Sequence, residues 1–355
     1  HQQGLIEIND DLKKYASDRP REWDLVKRCL GIARQHSKHA SAFVIADKPI
    51  AEIVPMFMGN VTQYEAKGVE KAKLIKYDFL VVKQLEDIQK CIKLINNKNN
   101  DTLRATHFRH NGVLTYIWDL PEDASVYSSI WEGSTETLFQ INTRSMIPFV
   151  KDIKPSSIFD LSDILALVRP GPLDYVDEKT GRTMAEEYIY RRKGLSSPDI
   201  PKLAEILPKT RGVMVYQEDL TKIARVVGEM RPDDAENLRR VMSKKLKIEM
   251  LKMKPLFMHG AVKNLGEETA DKIWDMMATF ARYGFNRAHS ISYAMITYAC
   301  MYLKYYYPNE WWAAVLSNAN ESEISNELYR YVRDRLAPPD INSSGSEMTI
   351  DYDTN

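Results

Sequence analysis

In the run Lys73-Leu74-Ile75-Lys76-Tyr77-Asp78-Phe79-Leu80-Val81-Val82, residues 74–82 read as a β-rich apolar strand, and residues 84–94 then take up the spacing of a helix. The change of period marks the point where a small α+β segment gives way to a mostly helical chain. Upstream, residues 5–35 hold two helical stretches, with Trp23, Leu25, Val26, Cys29, Leu30 and Ile32 at roughly three-to-four spacing. Residues 41–45 form a second β-rich run, and a lysine-rich loop is expected around 67–73. Downstream, the polar run 96–101 reads as an exposed loop. Helices are expected over 136–152, 157–167, 183–193, 201–207, 216–228, 233–253, 267–282 and 287–306. Asp233 or Asp234 is expected to cap the sixth of these and Pro308 to close the last. After Arg335, Pro338-Pro339-Asp340-Ile341-Asn342-Ser343-Ser344-Gly345 forbids helix and reads as a loop. The expected fold class is α+β, a small mixed portion followed by a large, mainly α-helical domain.

A chain of 355 residues with 44% apolar content can bury one large core or two ordinary ones. Its formal net charge is zero, so any surface for a polyanion must be local. Cys29, Cys91 and Cys300 are odd in number and far apart, which gives neither a disulfide framework nor zinc-ligand spacing and suits a reducing cytoplasm. No secretory leader opens the chain, and His1-Gln2-Gln3 reads as the edge of a fragment. The most apolar stretch, 290–303, is too short to span a bilayer, so a buried helix is expected and no membrane partner.

Strand periodicity puts Lys76 and Asp78 on one face, about 7 Å apart from the rise per residue. Phosphoryl transfer by two metal ions needs carboxylates on rigid strands and a cation against the triphosphate, roles that Asp78 and Lys76 fit. A strand-end ion pair facing water fits the same spacing. Just before the first strand, Arg34-Gln35-His36-Ser37-Lys38-His39-Ala40-Ser41 offers hydroxyls and cations able to hold phosphate oxygens, or simply a solvated loop. Residues 238–254 carry Arg239, Arg240, Lys244, Lys245, Lys247, Lys252 and Lys254 against the single acid Glu249. That concentration suits DNA backbone or triphosphate, and equally a solvated helix face. Arg169-Pro170-Gly171-Pro172 is a rigid turn whose arginine reads as structural when taken alone. Tyr283-Gly284-Phe285-Asn286-Arg287-Ala288-His289 sits at a helix start, where free N–H groups favour an anion. Of the tyrosines that follow, Tyr293 is the site candidate, and Tyr298, Tyr302, Tyr305, Tyr306 and Tyr307 have core spacing.

The order and wording of these motifs resemble the C-family DNA polymerases of bacteria and some phages, the polymerase III alpha type. The resemblance runs through Ser37-Lys38-His39-Ala40, Lys76-Tyr77-Asp78-Phe79-Leu80, Leu138-Phe139-Gln140-Ile141 and Ala166-Leu167-Val168-Arg169-Pro170-Gly171-Pro172. It continues in Val215-Tyr216-Gln217-Glu218, Leu238-Arg239-Arg240-Val241-Met242-Ser243-Lys244-Lys245, residues 283–293 and Pro338-Pro339-Asp340-Ile341-Asn342. It implies template-directed DNA synthesis by a two-magnesium mechanism, with primer-template DNA and deoxynucleoside triphosphates as partners. Residues 1–30 would end the thumb, 31–83 complete the palm, 84–335 form the fingers, and 336–355 be a polar linker. Asp78 matches the third metal-binding aspartate, with Lys76 beside it. The resemblance puts Ser37, Lys38, His39, Arg169, Arg240, Lys244 and Lys245 near the nucleotide, and Arg239, Arg287, His289 and Tyr293 on DNA. No Pro-Asp-x-Asp-x-Asp-Phe occurs here. The other two aspartates and the family's phosphoesterase-like domain are therefore expected from the remainder of the polymerase, with a sliding clamp as a further partner in a bacterial or phage-infected cytoplasm. Alone, the chain would then be a catalytically incomplete nucleic-acid-binding or assembly module.

Overall fold

The computed structural model describes residues 10–29, 38, 39, 41–57, 59–79, 81–169, 172, 173, 176, 180–244, 246–281, 283–321, 323–326, 328, 341, 342, 349 and 350. The chain is α+β and divides into two units, His1–Val81 and Val82–Asn355.

In the first unit, α1 (Asp10–Asp18) and α2 (Pro20–Cys29) occupy the two helical stretches read from the sequence. They meet at Tyr15 and Trp23, whose rings stand edge-on at 6.3 Å. Next come β1 (Ala42–Ile45), the hairpin of β2 (Met56–Phe57) and β3 (Val61–Thr62), α3 (Ala66–Lys71) and β4 (Ile75–Asp78). The stretch expected as a lysine-rich loop is mostly α3. Its end explains how β4 is aimed. Lys73 takes a left-handed conformation at φ 58°, its N–H donates to the Glu70 carbonyl at 3.0 Å, and the Leu74 N–H donates to the Val69 carbonyl at 3.1 Å. This Schellman closure is sealed by contact of Val69 with Leu74, both buried. A lysine rather than a glycine in that conformation costs about 1 kcal/mol.

β4 then pairs antiparallel with β1, Asp78 opposite Ala42 and Lys76 opposite Val44. Alternation places Val44, Lys76 and Asp78 on the side that packs against Val54, Val69 and Leu74. Phe43, Ile45, Ile75 and Tyr77 fall on the opposite side and, with Phe79, remain exposed.

The second unit begins with α4 (Lys83–Lys98), which buries Ile88, Cys91, Ile92 and Ile95. The helix runs well into the polar stretch expected as a loop, because Asn96 faces inward and its amide donates to the His107 carbonyl at 2.9 Å. A hairpin follows, β5 (His107–His110) and β6 (Val113–Tyr116), in a region expected to be mostly helical. Asn111 and Gly112, both at positive φ, form its two-residue turn.

Further helices are α5 (Ala124–Ser128), α6 (Met146–Ile153), α7 (Ile158–Leu167), α8 (Met184–Arg192), α9 (Pro201–Ile206) and α10 (Gln217–Val226). They continue with α11 (Pro232–Ser243), α12 (Lys247–Leu265), α13 (Glu267–Phe280), α14 (Arg287–Tyr306) and α15 (Pro308–Asn318).

Four expectations change here. The helix expected over 136–152 starts only at Met146, because Thr137 and Gln140 sit at φ 64° and 61°. Trp311 holds the first of these in place, its indole N–H donating to the Thr137 hydroxyl at 2.9 Å. The basic stretch read as one helix over 233–253 is two, parted where the Leu246 N–H returns to the Val241 carbonyl at 3.1 Å. The cap of α11 is Arg231 with Pro232 at the first position, leaving Asp233 and Asp234 in the first turn, where the helix dipole favours them. Pro308 also opens α15, which the sequence reading lacked.

Among the described residues of this unit, two cores result. One joins α4, α5, α6, α7, α8, α14 and α15 around Trp311, Trp312, Tyr127 and Tyr188. The other joins α9 to α13 around Leu220, Leu238, Phe257, Ile273 and Met277. In the second, α12 crosses the end of α10 at backbone contact, since a Cβ on Gly260 would lie 2.3 Å from the Gly228 oxygen. In the first, the buried Asp163 of α7 accepts from the Tyr216 hydroxyl at 2.5 Å and the Tyr188 hydroxyl at 2.7 Å. Burial pushes its pKa up to about 6, against the pull of the two phenols.

Gly260→Ala should lower stability by about 3 kcal/mol through overpacking, measured by urea unfolding. Asp163 gives a pH signature. With its folded pKa above the usual 3.8 and near 6, the folded state keeps a proton between about pH 4 and pH 6 that the unfolded chain has lost. Its contribution to stability therefore falls as pH rises through that window and is level above it. Asp163→Asn should flatten this slope relative to the parent in unfolding curves at pH 4.5, 5.5 and 7.

Candidate functional site

In the first unit, the Lys76 ammonium lies 2.7 Å and 2.6 Å from the two Asp78 carboxylate oxygens. The imidazole of His39 stands close by. Its Nδ1 accepts from the Ser41 N–H at 3.2 Å and the Ala42 N–H at 3.0 Å, which leaves the proton on Nε2, 3.9 Å from an Asp78 oxygen. Loop and strand thus bring His39, Lys76 and Asp78 together, as the sequence suggested. Lys38 is exposed beside them, and Ser37 lies outside the described residues. Asp78 is 43% exposed, so its pairing with Lys76 is worth at most about 1 kcal/mol. Among the described residues there is no group of three or more metal-capable side chains. One carboxylate already gripped by an ammonium does not by itself seat a divalent ion, which needs several oxygen ligands.

In the second unit, the site candidates gather where residues 215–219 meet residues 283–289. Tyr216 and Phe285 bridge in parallel. The Gln217 N–H donates to the Phe285 carbonyl at 2.8 Å, and its amide donates to the Gly284 carbonyl at 3.2 Å. Arg169 clasps the same segment, donating Nε to the Ala166 carbonyl at 2.8 Å and Nη2 to the Tyr283 carbonyl, with its guanidinium 4.7 Å above the Phe285 ring. Burial lowers its pKa. Arg169 therefore acts as a brace, in line with the structural reading of the turn. Pro170 and Gly171 lie outside the described residues.

The N-terminus of α14 differs from the expectation of free N–H groups. Both oxygens of Glu218 accept from the Arg287 N–H at 3.1 Å, and the Asn286 side chain accepts from the His289 N–H at 2.8 Å. The chain's own acid fills the anion position. What the helix end offers outward is side chains. The rings of Phe285 and His289 lie 5.5 Å apart, those of His289 and Tyr293 4.1 Å, and those of Tyr293 and Phe139 5.0 Å. The Arg287 guanidinium lies 5.4 Å over the Tyr216 ring. His289 is exposed and Tyr293 half-buried, so the column presents aromatic edges with one cation beside them.

The basic run divides by role. Arg239 turns back, donating to Gln217 at 2.9 Å and to Glu236 at 2.5 Å, and Lys254 pairs with Asp271 at 2.7 Å. Arg240, Lys244 and Lys252 are exposed, with Arg240 also held to Asn237 at 2.9 Å. Lys245 and the side chain of Lys247 lie outside the described residues. Sequence reasoning did not assign a role to Gln217 or Glu218, although both stand in a quoted motif. Their partners lie up to 69 residues away along the chain, a distance that no local spacing rule reaches.

Comparisons with known proteins bear on both units. Residues 84–265 match the family model described as the bacterial DNA polymerase III alpha subunit finger domain, and residues 2–81 match the bacterial DNA polymerase III alpha NTPase domain. A DNA polymerase III subunit alpha from Aquifex aeolicus (strain VF5) is 34% identical over 97% of this chain and 30% of its own length. That of Borreliella burgdorferi is 33% identical over 98% of this chain and 30% of its own length. That of Escherichia coli (strain K12) is 33% identical over 90% of this chain and 28% of its own length. The chain thus spans a little under a third of such relatives.

Proposed function

We propose, because this chain belongs to the bacterial DNA polymerase III alpha family, that it contributes to template-directed DNA synthesis as part of a larger polymerase. In this reading residues 1–30 end the thumb, 31–83 complete the palm, 84–335 form the fingers, and 336–355 are a polar linker. The reaction joins a primer 3′ hydroxyl to the α-phosphorus of a deoxynucleoside triphosphate with loss of pyrophosphate. One observation carries the reading: a strand-borne carboxylate, Asp78, sits with Lys76 and His39 in the segment that matches the family.

Asp78 would contribute one ligand to a magnesium seat completed from outside the described residues. Lys76, Ser37, Lys38 and His39 would serve the triphosphate. Arg240, Lys244 and Lys245 would meet triphosphate or nearby DNA, with Arg169 supporting them through its hold on Tyr283. Arg287, His289 and Tyr293 would contact the primer-template, cations on phosphate and aromatic rings on bases, and Arg239 would join them by exchanging its hold on Glu236 for phosphate. The remaining partners would be the rest of the polymerase and a sliding clamp, in a bacterial or phage-infected cytoplasm. No helix of the described residues is long and apolar enough to cross a membrane.

A second reading rests on the lack of a three-ligand group among the described residues. By itself the chain would bind nucleic acid without catalysing, and would need a separate chain carrying the other aspartates.

Primer extension tests the catalytic part of the first reading. The 355-residue chain alone should not extend a primer, and adding the upstream segments of the polymerase should restore extension. In that completed enzyme Asp78→Asn should reduce extension to background while DNA affinity stays within about twofold, since the substitution removes no cation from the phosphate contacts. Full extension by Asp78→Asn would exclude a catalytic part for this carboxylate.

A further inference from the structure

Glu218 holds an unusual position for an acid in a DNA-facing region. Its charge stands beside residues proposed to meet phosphate, and on electrostatic grounds alone it should repel the duplex. The geometry gives it other work. Its two oxygens grip the backbone N–H of Arg287, and the Asn286 side chain donates to one of them at 3.3 Å. The guanidinium of Arg287 is left out of this grip, and among the described residues no carboxylate comes within ion-pair distance of it. The neighbouring Tyr216 supports that guanidinium from below, 5.4 Å from ring to cation. Its own ring is fixed by the hydroxyl bonds to Asp163 and Ser162, at 2.5 Å and 2.8 Å. Two residues of one short segment, Tyr216 and Glu218, therefore fix Arg287 twice, Glu218 at the backbone and Tyr216 at the side chain.

We propose that Glu218 is a positioning residue for nucleic-acid phosphate, acting only through Arg287: it fills the α14 N-terminus so that phosphate is met by the guanidinium, held at a set height over Tyr216. This rests on the reading that Arg287 contacts DNA. The sign of the effect separates positioning from simple charge. A surface acid, once removed, should tighten DNA binding, whereas loss of a positioning acid loosens it. A fivefold loss of affinity corresponds to about 1 kcal/mol of the Arg287–phosphate interaction.

The test is a double-mutant cycle on the 355-residue chain, read by fluorescence anisotropy with a labelled primer-template duplex, with thermal melts as a check on folding. Arg287→Ala is expected to weaken binding about tenfold. Glu218→Ala is expected to weaken it about fivefold in the parent and less than twofold in the Arg287→Ala background. Glu218→Gln, which keeps the side-chain size and an acceptor oxygen, should lose about twofold and follow the same pattern, so the cycle stands even if the alanine variant folds poorly. Tighter or unchanged binding by Glu218→Ala, with Arg287→Ala still weakened, overturns the proposal and leaves the Arg287 contact intact. Equal losses by the Glu218 variants in both backgrounds overturn it as well. No loss on Arg287→Ala removes the DNA contact itself, and the positioning role with it.

Discussion

A carboxylate sealed from water has to find its hydrogen bonds inside the protein, and around Asp163 that requirement organises the helical unit. Two phenols satisfy it, one from α8 and one from the turn before α10. Each reaches it only if its own segment docks at a fixed height on α7. The adjoining Ser162 extends the tie, its carbonyl accepting from the Ser290 hydroxyl of α14 at 2.7 Å. Left unpaired, the ionised carboxylate would cost several kcal/mol. Alternative dockings of these four segments are disfavoured by polar chemistry as well as by packing, and the segment that carries Arg287 inherits the resulting precision of placement.

The neutral overall charge hides an uneven surface. Arg239, Arg192 and Lys254 are spent on neighbouring acids, Arg192 gripping Asp160 at 2.6 Å. Arg240, Lys244 and Lys252 are exposed near the break between α11 and α12. Formal counts along the sequence overstate the field available to a partner, because arginines near acids in space are already half neutralised. The same correction applies at Asp78, where a lysine two residues away takes both oxygens. A cation competing for that carboxylate must first displace an ammonium, an exposed exchange and therefore an inexpensive one.

Much of the architecture was legible wherever one local rule acted alone. Helices α7 and α14 sit within a residue or two of where period and capping put them, whereas the strand through Lys76 and Asp78 stops at Asp78, short of the β-rich run read as far as Val82. Failures came where a rule was outvoted by contacts remote in sequence. Thr137 and Gln140 carry no turn signal, and it is Trp311, far along the chain, that helps hold Thr137 in its left-handed shape. Asn111-Gly112 is a strong hairpin signal that was legible but submerged in a stretch read by its helical surroundings. The helix start at Arg287 was placed correctly and its chemistry was not, since the acid that fills it arrives from α10. Of the proposed site, the gathering of His39, Lys76 and Asp78 could be read from the sequence. The brace formed by Arg169, Gln217 and Glu218 could not, because it exists only once two distant segments lie side by side.

The two-stranded ribbon of the first unit has one further implication. Phe43, Ile45, Ile75, Tyr77 and Phe79 form a continuous greasy panel on its outer side, while among the described residues only Val54, Val69 and Leu74 are fully buried behind it. A ribbon with more oil outside than inside is an adhesive surface. Solution behaviour of this polypeptide should accordingly vary with how crowded the sample is. Detergent, dilution or a covering polypeptide would change its apparent size before altering its helical signal.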